Sequence, residues 1–492
     1  MVTKWINFLF GSDLTDEPTG YKVFDGKLIR ELDFKNKRFG WEPEITGKIL
    51  KLGYNIVEVP ITYDPRSVSE GKKIRFIDGI EAFWEALKSK LLPFKINNIF
   101  FLFIVCFFLR LLISLPGLKN PEAMFFRPDS SSYIQPALSI IQTGKYSVSP
   151  ESLTLSFIRP PGYPLYLACV FFITGINYIM PVILSCFISA LTCFFVYLAA
   201  KLLGGRSSGI LAFIFFTLNI TSLSFAPIYL SDTLFTFFCA IHFYFFTRFL
   251  ITKHLLNLWS GMFFLSLGTM VRIVSMYWIF LCVLLVLFNK KISIKNKILG
   301  VTGCLILFYG VQFPWMLRNF HNGAGLHLET NSANIYYYNG AALLSVISNT
   351  PAKVIRNELL KATNNEFISN PEKYKNEKDI YDYKMNKLKE LIMKHPIEYL
   401  KLHFNAAIIL PDAATFFEIL GMTKSGQNTL DVLTRQGFIA AMKNYFGDKM
   451  WLLTFISPLL LICLIAYLAC FLQVLDWIRL KEYYLLLLFF SF

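Results

Sequence analysis

An acidic residue and several arginines lie directly after the first long apolar segment of the chain. Asp129 stands in a polar segment, residues 125–133, that also holds Arg127 and Tyr133, and a second polar segment follows at residues 159–164 (RPPGYP). A carboxylate can accept a proton from a nucleophile, and guanidinium groups bind phosphate through paired hydrogen bonds. Beside a bilayer surface these residue types predict a site for an anionic, lipid-linked substrate. The alternative is a solvated loop acid with a surface arginine nearby.

Three further arginine positions and a second acid lie near the ends of apolar segments. Arg272 comes late in a predicted span, where an ionisable group is costly and more often functional than not, so we predict that it binds phosphate. Arg159, whose backbone is restricted by the prolines that follow it, and Arg318 are candidates for the same role. An arginine such as Arg318 also snorkels at a helix end without any function. Asp232 is a second catalytic candidate, and a helix N-cap formed by Asp232 or its neighbour Ser231 is its alternative.

Aromatic residues complete the predicted site. Tyr133 and Tyr163 belong to the two polar segments and are predicted substrate contacts. Tyr337 lies in residues 331–340, a stretch rich in tyrosine and amide side chains that suits sugar stacking and hydroxyl hydrogen bonds. Tyrosines that form a belt at a membrane interface produce the same pattern, so both interpretations stay open.

The sequence predicts no resident metal centre or cofactor. The nine cysteines form no CxxC pair and lie almost entirely within apolar runs, and the six histidines have no metal-ligand spacing. A divalent cation shared by Asp129 and Asp232 is left open, because nothing in the sequence determines the distance between them.

The composition predicts an integral membrane protein. Of the 492 residues, 55% are hydrophobic, more apolar surface than a soluble protein of this size can bury. The formal net charge of +15 comes from basic residues clustered in short loops between apolar runs, as the positive-inside rule produces. Basic stripes interleaved with stacking aromatics are not apparent, so nucleic-acid binding is not expected.

Apolar runs close to the ~20 residues that cross a bilayer define a multi-span region. If the amino terminus is cytoplasmic, the basic loops all fall on the inner side of a bacterial-type inner (plasma) membrane, and residues 117–178 and 317–449 lie on the outer face. Residues 163–175 are expected to form a helix at the outer surface. The predicted spans are residues 97–116, 179–201, 208–229, 232–252, 256–275, 276–290, 297–316 and 450–474.

Residues 1–95 differ in character from the membrane region, residues 96–492. A strand is predicted at residues 54–63, a short helix at 44–52 ended by Gly53, and an amphipathic helix at 76–92. The last apolar stretch, from Tyr483, covers only half a span, so truncation of the carboxy-terminal end is expected.

The amino-terminal region resembles the carboxy-terminal third of family 2 glycosyltransferases of the dolichol-phosphate mannose synthase type. The resemblance implies that Asp16 and Glu44 face a sugar-transfer site, and that Arg66 with Lys72 or Lys73 holds a lipid phosphate. The nucleotide-binding half and its Asp-x-Asp motif are missing, so a fragment, a split enzyme, a wrong start codon and a stabilising cytoplasmic cap all remain open. The resemblance is carried by residues 14–24 (LTDEPTGYKVF), 41–45 (WEPEI), 57–61 (VEVPI), 65–66 (PR) and 70–74 (EGKKI).

The membrane region resembles glycosyltransferases of the GT-C fold, particularly protein O-mannosyltransferases and the aminoarabinose transferase of lipid A. The expected fold is therefore mainly α, a polytopic transmembrane helical bundle with a small truncated α/β region at its amino terminus. The motifs are residues 127–133 (RPDSSSY), 144–146 (GKY), 159–164, 231–232 (SD), 271–272 (VR) and 314–319 (PWMLRN).

This second resemblance implies transfer of a sugar from a polyprenyl-phosphate donor to a glycan, lipid or protein acceptor at the outer face. Asp129 would be the base, and Arg272, Arg159 and Arg318 would bind the donor phosphate. Membrane lipids and a separate family 2 glycosyltransferase chain are the expected partners. A lipid-sugar flippase, a non-catalytic subunit that anchors a separate synthase, and an inactive gene product are the alternatives.

Overall fold

The protein is helical wherever its structure is described. The computed structural model describes residues 1–31, 40–62, 76–91, 98–152, 154–289, 291–402, 413–420, 432, 436–446 and several single positions between 451 and 465. No strand forms within these ranges, and an isolated antiparallel bridge joins Ser147 to Leu155. The predicted mainly α fold class is therefore confirmed. The chain divides into two compact units, Met1–Leu102 and Phe103–Phe492.

The first unit packs short amphipathic helices around a glycine contact. A Cβ atom on Gly47 would lie 2.8 Å from Ser89 and 3.0 Å from Phe10, so only glycine lets these helices approach so closely. The predicted helices at residues 44–52 and 76–92 are confirmed. The helices of this unit are α1 (Val2–Phe10), α2 (Gly26–Glu31), α3 (Trp41–Lys51) and α4 (Phe76–Leu91).

The strand predicted at residues 54–63 is wrong for residues 54–62, which carry no ladder in the described part of the unit. Val57 and Val59, whose alternation suggested a half-buried strand, are exposed. Between them, the Glu58 carboxylate accepts the backbone N–H of Thr15 at 2.8 Å and of Asp16 at 3.0 Å. A segment of alternating apolar and polar residues forms a strand only when a neighbouring strand supplies hydrogen-bond partners. Here the Glu58 side chain binds the segment to the loop at Thr15 and Asp16 instead.

The membrane helices belong to the second unit, apart from the first few residues of the first of them. Four are long and apolar enough to cross a bilayer, at Ile99–Leu118, Ile179–Arg206, Asp232–Thr252 and Ile294–His321, which confirms the expectation of a helical integral membrane protein. Most of the predicted span at 450–474 lies outside the described residues. The helices are α5 (Asn98–Leu118), α6 (Pro121–Phe125), α7 (Ser131–Thr143), α8 (Gly162–Thr174), α9 (Ile179–Thr217), α10 (Ile220–Phe225), α11 (Asp232–Thr252), α12 (Leu255–Val271), α13 (Trp278–Phe288), α14 (Ile294–His321), α15 (Ala341–Ser348), α16 (Ala352–Ser369), α17 (Glu377–Lys394), α18 (Pro396–Leu402), α19 (Ala413–Ile419) and α20 (Phe438–Phe446).

The span predicted at residues 208–229 is replaced by two shorter helices. Gly205, at φ 80°, breaks α9, and a Cβ atom on Gly209 would lie 2.8 Å from the Tyr197 ring. Twelve residues of straight helix cover roughly 18 Å, so this contact requires the chain to reverse between Tyr197 and Gly209. The returning helix stops at Thr217, and α10 follows after Asn219, whose side chain caps it.

One end of the bundle gathers the polar segments. Ser130 donates its hydroxyl to the Tyr229 carbonyl at 2.8 Å, which joins the start of α7 to the segment before α11. The Thr330 N–H donates to the Phe157 carbonyl at 2.7 Å, which joins the segment after α14 to the one before α8. The carboxyl ends of α5 and α14 and the amino end of α11 therefore meet on the same side of the bundle.

The helix α8 starts against the end of α12 with no space for a side chain. A Cβ atom on Gly162 would lie 2.6 Å from the Met270 carbonyl oxygen and 2.9 Å from Val271. The glycine in the RPPGYP segment therefore allows a backbone contact that sets where Arg159 and Tyr163 enter the bundle.

We expect Gly162→Ala to lower the free energy of unfolding by about 1–3 kcal/mol, because the backbone of α8 must move away from α12. Thermal unfolding of the purified chain in detergent measures the change. Gly310→Ala is the control, since Gly310 lies inside α14 with nothing within 4 Å of its Cβ position. Equal melting temperatures for the two variants would contradict the expectation.

Candidate functional site

Asp129 and Arg159 form an ion pair at the end of the bundle. The Arg159 Nη2 atom lies 3.0 Å from the Asp129 Oδ2 atom, and the Asp129 side chain keeps 64% of its surface exposed. A tight turn holds the acid: the Arg127 N–H donates to the Ser130 hydroxyl at 2.8 Å, and the Ser130 N–H donates to the Arg127 carbonyl at 2.8 Å. The site therefore presents an accessible carboxylate oriented by a guanidinium group.

Arg159 is held in place by α7. Its Nε–H donates to the Ser132 hydroxyl at 2.8 Å, and its guanidinium carbon lies 4.6 Å from the centre of the Tyr133 ring. Tyr133 and Tyr163 are both buried, with their rings edge to face at 5.2 Å. The two predicted substrate tyrosines therefore form the layer beneath the ion pair rather than its exposed surface.

Asp232 and Arg272 form a second ion pair. Asp232 is the first residue of α11, and Arg272 immediately follows α12. A carboxylate in the first turn is favoured by the helix dipole. The neighbouring Ser231 makes no side-chain cap; its hydroxyl bonds instead to the Tyr133 hydroxyl at 3.1 Å. Tyr133 therefore contacts Arg159 of the first pair with its ring, and its hydroxyl bonds to Ser231, the residue before Asp232 of the second pair.

Neither acid is arranged as a metal ligand. Both carboxylates are paired with arginines. Across the ranges that the structure describes, three or more His, Cys, Asp or Glu side chains nowhere come together in a way that could hold a metal ion. The donor set around Asp129 and Asp232 thus fits a guanidinium-assisted site better than a shared divalent cation.

Arg127 binds backbone carbonyls and a different acid from Asp129. Its guanidinium donates to the Met124 and Phe126 carbonyls at 3.0 Å and lies 3.6 Å from the Glu418 carboxylate. It stabilises the end of α6 and the approach of α19. The prediction that it binds substrate stays untested, and its contacts are those of a residue that holds the loop.

Arg318 lies in an aromatic enclosure. Its guanidinium donates to the Ser156 carbonyl at 3.0 Å and the Tyr146 carbonyl at 3.1 Å, and it lies 4.8 Å from the Trp315 ring centre. These bonds fasten residues 146–156 to the end of α14. The predicted phosphate role of Arg318 stays untested, and the snorkelling alternative does not describe a guanidinium enclosed in this way.

Tyr337 is buried in a single π-helical turn, Tyr336–Gly340, against Leu388 of α17. The Lys384 ammonium lies 5.2 Å from its ring centre. The exposed ring in this turn is that of Tyr338. A sugar that stacked on this segment would meet Tyr338 before Tyr337.

The predicted residues Asp16 and Glu44 of the amino-terminal unit have different hydrogen-bond partners. Glu44 is buried and pairs with Lys48 one turn along α3, and the Asp16 N–H donates to Glu58. The first contact lies within one helix, and the second joins two segments of the unit that are distant in sequence. The predicted lipid-phosphate contacts Arg66, Lys72 and Lys73 lie outside the described residues.

Two residues near this end of the bundle were missed from the sequence. Glu329 is buried and accepts the Ser332 N–H at 3.0 Å; burial raises its pKa, while the bonds from Ser332 and the charge of Arg159 lower it. Arg110 is completely buried in α5. The argument that favoured Arg272, a cation within an apolar segment, applies equally to Arg110 and was the available signal.

One comparison with known proteins covers part of this site, and a second matches a short stretch of the chain. Residues 158–315 match the family model described as dolichyl-phosphate-mannose-protein mannosyltransferase, a range that includes Arg159, Asp232 and Arg272 but less than half of the chain. An undecaprenyl-phosphate mannosyltransferase of Micrococcus luteus is 31% identical over 96 residues, which cover 17% of this chain and 40% of the relative. No solved structure matches.

These matches support the predicted likeness to mannosyltransferases that use polyprenyl phosphates. The chain spans well under half the length of the curated relative. The fusion to a family 2 glycosyltransferase therefore stays a prediction, as do the separate roles of residues 1–95 and 96–492.

Burial of Glu329 makes stability depend on pH. The unfolded chain ionises this carboxyl near its ordinary pKa of 4.5, and the folded chain does so only at higher pH. The protonated Glu329 carboxyl therefore makes its full contribution to stability below pH 4.5, and this contribution is lost as the pH rises through the folded-state pKa. We expect the melting temperature of Glu329→Gln to fall less between pH 5 and pH 8 than that of the wild type, because the amide does not ionise. In the wild type, a change of ~1 pH unit near the pKa of Glu329 strongly changes the ionised fraction of its carboxyl. Glu358→Gln, at an exposed glutamate, should keep the wild-type pH slope. An unchanged slope in Glu329→Gln would show that the carboxyl titrates alike in both states.

Proposed function

We propose that this protein is a membrane glycosyltransferase that transfers a sugar from a polyprenyl-phosphate donor to a glycan, lipid or protein acceptor at the outer membrane face. The observation that carries the proposal is the accessible Asp129 carboxylate paired with Arg159 and linked through Tyr133 to the Asp232–Arg272 pair. The family match over residues 158–315 supports the donor class.

The charges suit the chemistry of glycosyl transfer. As the acceptor oxygen attacks the anomeric carbon, the acceptor loses its proton and the bond between that carbon and the phosphate oxygen breaks. Asp129 takes the proton as general base. The departing polyprenyl phosphate gains negative charge, which a guanidinium such as Arg272 or Arg159 balances.

The arginines also regulate the acid. Arg159 lies 3.0 Å from the carboxylate of Asp129, and its charge also opposes the rise that burial causes in the pKa of Glu329. A phosphate that approached Arg159 would compete for the guanidinium and release Asp129 to accept a proton. Donor binding and activation of the base are thereby coupled.

The remaining partners follow from the proposed reaction. A cytoplasmic synthase, encoded as a separate family 2 glycosyltransferase chain, would supply the lipid-linked sugar, and the amino-terminal unit is the proposed remnant of such an enzyme. We infer a cytoplasmic amino terminus and an inner or plasma membrane from the basic loops, which fit the positive-inside rule in that orientation.

We expect Asp129→Asn to lower kcat for sugar transfer by about 10²–10⁴-fold while leaving donor affinity within a few-fold, because the amide cannot accept the proton. Transfer from a radiolabelled polyprenyl-phosphate mannose is measured in membranes that contain the full chain, with Glu358→Gln as control. Full transfer by Asp129→Asn would overturn the assigned base. If neither wild type nor variant transfers sugar but both move the labelled lipid across vesicles, the protein is a flippase.

Arg272→Gln should reduce kcat/KM for the donor by about 10²-fold, because the neutral amide no longer balances the leaving phosphate. Arg248→Gln is the control, since Arg248 lies near the other end of α11 and contacts Tyr244. Equal kcat/KM values for the two variants would contradict the proposed role of Arg272 in binding the donor phosphate.

A further inference from the structure

Arg110 is a completely buried cation in a helix long enough to span the membrane. Its Nε–H donates to the Ser189 hydroxyl at 2.7 Å and its Nη2 group to the Ser222 hydroxyl at 3.1 Å. The remaining bonds go to Cys106 and Cys193. Within the described part of the chain, none of the ion pairs includes Arg110. A buried charge without a counterion is costly, so a function that compensates the cost is expected.

A cavity lies beside Ser189 and Ser222, two hydrogen-bond partners of Arg110, and most of its wall surface is apolar. It has a volume of about 270 Å³ and opens between α9, α10 and α11. Phe216 and Phe225 give it an apolar wall, while the polar wall consists mainly of hydroxyl and amide side chains. The polar lining includes Ser189, Thr192, Asn219, Thr221, Ser222 and Asp232.

Ser189 and Ser222 lie between the Arg110 guanidinium and the cavity. Both line the cavity, and both hydroxyl oxygens accept a hydrogen bond from the guanidinium. An oxygen that accepts from a cation becomes a better donor through its own proton. Neither hydroxyl donates to another group among the residues that the structure describes. Two polarised O–H groups are therefore available to a ligand oxygen.

Three of the four threonines of the wall are arranged differently. Thr192 donates its hydroxyl to the Ile188 carbonyl, Thr233 to the Phe225 carbonyl and Thr236 to the Asp232 carbonyl. The protons of these three hydroxyls are therefore already used within the protein. Donors for an anion are thus concentrated at the end of the cavity that Arg110 supports.

Among the described residues, two arginines and one acid at this cavity leave one positive charge unbalanced. Arg110 and Arg272 are cationic, and Asp232, which lines the cavity and pairs with Arg272, is anionic. A lipid phosphodiester carries one negative charge and an apolar chain, which match the net charge and the phenylalanine wall respectively.

We propose that this cavity binds the phosphodiester group of a membrane lipid, with Ser189 and Ser222 as donors and Arg110 as the buried charge behind them. The lipid is either a phospholipid or the polyprenyl-phosphate sugar; only the second source depends on the proposed function. Arg110 is a positioning residue here, because it acts through the two serines.

The test measures binding without acceptor or turnover. The purified full chain in neutral detergent is titrated with dioleoylphosphatidylglycerol, with a polyprenyl-phosphate mannose, and with dioleoylglycerol, which has the same chains as the first lipid but no phosphate. Thermal stabilisation gives an apparent Kd for each. We expect saturable stabilisation by one or both phosphodiesters and none by dioleoylglycerol.

Two matched variants locate the site. Ser222→Ala should weaken phosphodiester binding about tenfold by removing one polarised donor. Ser224→Ala, in the same short helix, should bind like the wild type, because the Ser224 hydroxyl donates to the Ile220 carbonyl. Arg110→Met, with an apolar chain of similar length, should abolish binding, and Ser222→Ala decides the question if that variant does not fold.

The outcomes separate the two lipid sources and the two proposals. Serine-dependent binding of the polyprenyl lipid alone identifies the donor, and binding of both lipids identifies a general phosphodiester site. Equal affinity in Ser222→Ala and Ser224→Ala, or equal stabilisation by dioleoylglycerol, overturns the site. A chain that binds phosphodiesters in this way but transfers no sugar retains the site and loses the proposed function.

Discussion

The Tyr133 ring is the contact on which the rest of the site depends. One face supports the Arg159 guanidinium, the edge meets Tyr163, and the hydroxyl reaches Ser231. The ring therefore joins α7, α8 and the start of α11 within one buried layer. Without such a layer, the exposed Asp129–Arg159 pair would be an ordinary surface ion pair, of ~0–1 kcal/mol and no defined geometry.

Backbone carbonyls beside the membrane create the second constraint. The segments between helices expose carbonyl groups that no strand or helix satisfies, and each needs a donor where water is scarce. Arg318 supplies two such donors to residues 146–156, and Arg127 supplies two to the end of α6. Two of the arginines that look suited to phosphate therefore hold the loops that carry the reactive residues. Arg159 and Arg272 are paired with acids instead.

The helix bundle also contains a fully buried positive charge, that of Arg110. Arg110 is surrounded by hydroxyl and thiol groups rather than carboxylates, so its charge is solvated but not neutralised. The two serines that accept hydrogen bonds from Arg110 also line a cavity, where a ligand could interact with them. Asp232 also lines this cavity, and the hydroxyl of its neighbour Ser231 bonds to Tyr133, so the cavity and the Asp129 site meet at the start of α11.

The sequence by itself determined the helical membrane class, the positions of the long spans and the two segments that carry Asp129 and Arg159. Those features depend on local periodicity and on runs of apolar residues. The pairing of Asp232 with Arg272, the enclosure of Arg318 and the burial of Tyr163 were decided by tertiary structure, because they join residues far apart in the chain. The reversal near Gly205 and the lack of a ladder at residues 54–62 had the same origin: a span or a strand forms only where the surrounding helices and partners leave room for it.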